Sequence, residues 1–91
     1  MAGTFKLLVL TPERRVFEGV VEYLSAPGTE GYLGVLADHA PLATGLAPGT
    51  LTLRVPGGAE QTYAVSGGIL EVGNNQATVL ADEIAEAGEQ A

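Results

Sequence analysis

The chain has 91 residues, 46% of them hydrophobic, and no cysteine, so it can bury one core and has neither disulfides nor thiolate metal ligands. Four Lys and Arg against eleven Asp and Glu give a formal net charge of −7. With three tyrosines, two phenylalanines and no tryptophan, that excludes a surface built to neutralise phosphates or stack bases.

The acidity is uneven. Asp82, Glu83, Glu86 and Glu89 lie in the last ten residues, and residues 1–81 carry only −3. No run of about 18 apolar residues is present to span a bilayer as a helix. The start, M-A-G-T-F-K, lacks the apolar stretch of a secretory signal. Together with the missing cysteines, this predicts a chain that stays in a reducing compartment where it is made.

Short β-favouring runs punctuated by Gly, Pro and Asn dominate the chain. Thr4–Thr11 is almost continuously apolar, which predicts a strand covered on both faces. Thr11-Pro12-Glu13-Arg14-Arg15 turns the chain. Val16–Ala26 is long for one strand, and Gly19 within it predicts a bulge or bend that lets the strand serve two sheets. Pro27–Gly31 is turn chemistry, followed by strands over Tyr32–Leu36 and Leu42–Leu46 with a loop at Ala37–Pro41 between them. Thr50–Val55 alternates cleanly: Leu51, Leu53 and Val55 point one way, Thr50, Thr52 and Arg54 the other. Pro56-Gly57-Gly58 leads into Glu60–Ser66, where Tyr63 and Val65 share a face. Gly67-Gly68 permits backbone angles closed to other residues. Ile69–Val72 and Gln76–Ala81 form a hairpin around Gly73-Asn74-Asn75, residues that tolerate positive φ.

These are eight strands. From Asp82 the acidic, helix-favouring D-E-I-A-E-A predicts a short stub of helix. The expected organisation is a β domain over residues 1–81 and an acidic tail or helix stub over 82–91. The fold class is all-β, a flattened two-sheet sandwich or barrel.

The stretch Glu30–Gly45, E-G-Y-L-G-V-L-A-D-H-A-P-L-A-T-G, is the part that alternation does not explain. It holds His39, the only histidine, so a zinc site would need carboxylates alone to complete it. A loop histidine bonded to a backbone carbonyl, or a contact residue in an interface, suits His39 better than metal binding or catalysis. Ser66 lacks the Gly-x-Ser-x-Gly elbow, because residue 64 is Ala. Gly28, Gly31 and Gly34 do not match the dinucleotide fingerprint. Glu18 and Glu22 fall on one strand face about 13 Å apart by strand rise, which reads as a solvated edge. The chain is therefore expected to be no enzyme, to need no metal or cofactor, and to work as a binding module. Tyr32, Leu33, Pro41 and Leu42 are its candidate contacts.

The motifs then show a resemblance. T-P-E-R-R-V-F-E-G-V-V-E, P-G-T-E-G-Y-L-G-V-L-A-D-H-A-P-L-A-T-G-L-A-P-G, A-V-S-G-G-I-L-E-V and A-T-V-L-A-D, in this order, closely resemble the epsilon subunit of F-type ATP synthases, called delta in mitochondria. The resemblance runs from Phe5 to Asp82, and the combination of E-G-x-L-G, H-A-P-L and S-G-G-x-x-E-V is its specific part. It implies a ten-stranded sandwich in the central stalk, bound to the gamma subunit and resting on the c-ring, non-catalytic, that helps couple proton or sodium flow to ATP synthesis. It also implies a peripheral position on the cytoplasmic face of the bacterial inner membrane.

By the same resemblance, Glu30, Gly31 and Tyr32 face the c-ring. His39, Leu42 and Thr44 meet gamma, with Ser66 a further residue of that surface. Many members carry an acid where this chain has Tyr32, so ring packing is expected to replace a charge pair. Typical members continue into two C-terminal helices that inhibit hydrolysis and in some bacteria bind ATP. Residues 82–91 supply neither those helices nor their Asp-x-x-Arg-Ala motif, so this chain is expected to do neither. The alternative reading is a stand-alone β-sandwich that binds a ligand or protein. A hydrolase using Ser66 and His39 has no third member.

Overall fold

Alternation of apolar and polar residues builds nearly every element of the protein. The computed structural model describes residues 3–86. Ten strands follow in order: β1 (Phe5–Leu10), β2 (Arg15–Val21), β3 (Tyr23–Gly28), β4 (Gly31–Val35), β5 (Leu42–Leu46), β6 (Gly49–Arg54), β7 (Glu60–Val65), β8 (Gly68–Gly73), β9 (Gln76–Ala81) and β10 (Ile84–Glu86). They form one hydrogen-bonded path, β10-β7-β6-β3-β5-β8-β9-β1-β2, with β4 paired to the other side of β3. The path curls into two layers. β10, β7, β6, β3 and β4 make one, β5, β8, β9, β1 and β2 the other, and the ladder joins them only at Gly28↔Leu46.

The inner faces meet in a single core. Leu24, Leu51, Leu53 and Tyr63 come from the first layer, and Leu7, Val9, Val21, Leu70 and Val79 from the second. No charged residue is buried among the described residues, so no buried ion pair is needed, and the buried Tyr63 hydroxyl donates to Gln61 Oε1 at 2.7 Å. All pairings are antiparallel except that of β1 with β9.

The strands over Leu42–Leu46 and Gln76–Ala81 have the predicted bounds. Five expectations need correction. Val16–Ala26 is two strands, broken at Glu22, whose amide bonds Arg54 O at 2.8 Å. Gly19 is no bulge: it pairs in register with Leu7, and the register shift falls between Val9 and Leu10. The strand that serves both layers is β3, because Pro27 and Gly28 continue it instead of turning. β1 is buried only on the face of Phe5, Leu7 and Val9, while Lys6 is exposed. Finally, the helix stub is a strand over Ile84–Glu86, paired with β7; residues 87–91 of the expected tail lie outside the described residues. The extra break and this last strand raise eight strands to ten.

Candidate docking surface

The β3–β4 hairpin closes on the pair Gly28↔Gly31 around Thr29-Glu30. Gly31 has φ +125, a region that side chains rarely enter, so glycine is needed there. β5 approaches this hairpin from the other layer. Thr29 N donates to Gly45 O at 3.0 Å and Ala47 N to Pro27 O at 2.8 Å. Beyond these bonds the layers part, leaving an open concavity of about 560 Å³. Its two lips are the hairpin, with Glu30, Gly31, Tyr32 and Leu33, and the segment with His39, Leu42 and Thr44. The structure therefore brings six of the seven predicted residues into one mouth. Ser66 is not among them. It lies past the far end of β5, beside a second concavity with Arg14, Glu83 and Ile84, and its amide bonds Glu83 O at 3.2 Å.

Tyr32 is 62% exposed, yet its hydroxyl is committed to its own sheet, accepting a bond from Thr50 N at 2.8 Å. The reason lies in the ladder. The register that pairs Ser25 with Thr52 sets Pro27 opposite Thr50, and Pro27 has no amide while its carbonyl serves Ala47. The Tyr32 phenol fills the place left beside Thr50. Gly49 makes room, since a Cβ there would stand 2.7 Å from both the Tyr32 hydroxyl and Pro27 Cβ. This clip was missed in the sequence; Gly49, next to a proline and before a regular strand, was its only trace.

His39 is half-buried, with Nδ1 2.7 Å from Ala40 O. A carbonyl oxygen only accepts, so Nδ1 carries the proton, and in the neutral ring Nε2 is left as an acceptor. Leu42 is half-buried against the core. Thr44 Oγ1 donates to Gly45 O at 3.1 Å. Glu30 is exposed and belongs to neither ion pair found among the described residues. The mouth thus offers one carboxylate, one imidazole, a tyrosine edge and aliphatic walls. Among the described residues no three His, Cys, Asp or Glu side chains group together as a metal would require.

The class defined by these features is a small all-β sandwich with an open, mainly aliphatic mouth between its layers. The family described as "ATP synthase, Delta/Epsilon chain, beta-sandwich domain" matches residues 4–87, and the chain belongs to that family. It is 48% identical over 82 residues to the ATP synthase epsilon chain of Desulforamulus reducens, covering 90% of this chain and 61% of that one. The ATP synthase epsilon chain of Moorella thermoacetica is 48% identical over 80 residues, covering 88% and 60%. The chain therefore spans about three fifths of the length of these relatives.

Among solved structures, a chain of the Euglena gracilis mitochondrial ATP synthase, OSCP/F1/c-ring in rotational state 1, superposes with TM-score 0.86 at 26% identity, over 93% of this chain and 54% of that one. A chain of the Tetrahymena thermophila mitochondrial ATP synthase central stalk/c-ring shares the fold at TM-score 0.74 and 18% identity, over 93% and 71%.

Proposed function

We propose that the chain is the sandwich of a non-catalytic central-stalk subunit that fastens the gamma subunit to the c-ring of an F-type ATP synthase, so that rotation driven by proton or sodium flow reaches the catalytic head without slipping. The observation that carries this is the family match across residues 4–87. The superposition at TM-score 0.86 on a chain of an F1/c-ring assembly supports it. The named relatives are bacterial, which favours the cytoplasmic face of the inner membrane, reached through the complex.

The two lips divide the work. Glu30, Gly31 and Tyr32, on the tight hairpin, form the foot on the c-ring loops. His39, Leu42 and Thr44 form the grip on gamma. A gamma surface that also reaches Ser66 runs along β5, whose five residues span roughly 17 Å.

Co-purification of the chain with gamma and the c-ring is the test. A stable complex is expected from the native sequence, and its failure to form with both partners present overturns the reading. Within that complex, Tyr32→Ala should weaken attachment to the ring more than Tyr32→Phe, because the ring of the side chain supplies most of the contact area. Equal losses from both would contradict ring packing at the foot.

A further inference from the structure

We propose that Asn75 is the positioning residue for the loop that carries His39, holding the grip in its binding geometry from a distant turn. This rests on the docking reading above and assigns its grip a specific support.

The loop passes through a left-handed residue and takes part of its support from outside itself. Leu36 to His39 forms a turn closed by His39 N donating to Leu36 O at 3.2 Å. Its third residue, Asp38, has φ +62. That position suits glycine, and an aspartate stays there only if something fixes it. The Asp38 amide finds its partner 37 residues away, donating to Asn75 Oδ1 at 2.8 Å. The other end of the same amide is also used: Asn75 Nδ2 donates to Thr4 O at 2.9 Å. Reversing the amide would set N–H against N–H and oxygen against oxygen, so these two bonds define one orientation.

Asn75 is itself anchored. It has φ +57 in the β8–β9 turn, and its carbonyl accepts from Lys6 N at 3.3 Å. One side chain therefore ties three separate pieces together: the β8–β9 turn, the chain entering β1 and the β4–β5 loop. A second observation places the loop on the same support. A Cβ at Gly3 would stand 2.8 Å from Ala37 Cβ, so the loop packs directly against the chain leading into β1. Asn75 makes no part of the mouth's lining. Its effect on docking would pass through the loop alone.

A plain turn residue would satisfy the left-handed backbone and nothing more. Asn75→Gly separates the two roles, because glycine accepts the same φ and removes only the amide. Asn75→Asp keeps the acceptor for Asp38 and loses the donor to Thr4. The measurement is amide hydrogen exchange and ¹⁵N relaxation on the chain, followed by its affinity for the gamma–c-ring subcomplex.

In Asn75→Gly, exchange at the Asp38 amide should rise about tenfold and order in residues 37–40 should fall. The melting temperature should shift by only a few degrees, and binding should weaken several-fold, about as far as a loop that must order on binding requires. Asn75→Asp should fall between this variant and the native chain. Unchanged exchange and loop order would reduce Asn75 to a turn residue and overturn the proposal. So would a loosened loop with native affinity. If the native chain itself binds no gamma–c-ring subcomplex, the docking reading fails, while the exchange data still judge the clamp.

Discussion

Tyr32 shows how one side chain can serve fold and surface together. Its ring is mostly exposed, while its hydroxyl accepts the Thr50 amide that Pro27 leaves without a partner. Tyr32→Phe should therefore cost stability even though it keeps the ring, by roughly 0.5–1 kcal/mol in urea denaturation, at the lower end because the bond lies at the surface. The residue type was plain in the sequence, but its partner was not, because the 18-residue separation from Thr50 is set by the pairing of three strands. The same applies to Asn75. Its left-handed backbone could be read from G-N-N, whereas its grip on Asp38 needed the fold.

Tyr63 carries a different signal at this scale. Burial raises its pKa above the ordinary 10.0; Glu86 adds to the rise, and Arg14 opposes it. The folded state thus holds the phenolic proton more tightly than the unfolded chain does. The stability this provides is complete below pH 10.0 and is lost as pH rises from there through the higher folded value. Melting temperature should fall above that point, and the fall should be shallower in Tyr63→Phe. Identical alkaline profiles for the two proteins would show that Tyr63 does not contribute.

At the level of elements, the strands with strict alternation were legible almost to the residue. In β6, Leu51 and Leu53 are buried where period two places them; in β7, so are Tyr63 and Val65. Reading failed where tertiary pairing overrode local preference. Pro27-Gly28 looks like a turn, but their place at the seam of the two layers makes them the end of a strand. D-E-I-A-E favours a helix only weakly, and the open edge of β7 offers a ladder instead.

Ser66 N bonding Glu83 O sets the phase of that ladder, so Ala85↔Ala64 is also a hydrogen-bonded pair. Ala85→Pro removes the amide of that pair and should destabilise the chain by about 1 kcal/mol in denaturant titration. No change would show that β10 adds nothing to the edge of β7. The mouth was half legible. Glu30–Gly45 stood out as irregular, but only the approach of β5 to the β3–β4 hairpin turns its two ends into facing lips.

At the scale of the whole molecule, the described residues form two layers over a core without buried charge, joined in the ladder at one pair, with the mouth beside that seam. The coupling role proposed above calls for a body that does not yield, since torque is lost wherever a connector gives. The mouth as the docking surface is the central claim, and hydrogen exchange on the chain, free and bound to the gamma–c-ring subcomplex, tests it most directly. Protection on binding should concentrate in residues 28–33 and 39–46. Protection confined to the far edges, β2 or β10, with the mouth exchanging as in the free chain, would contradict it.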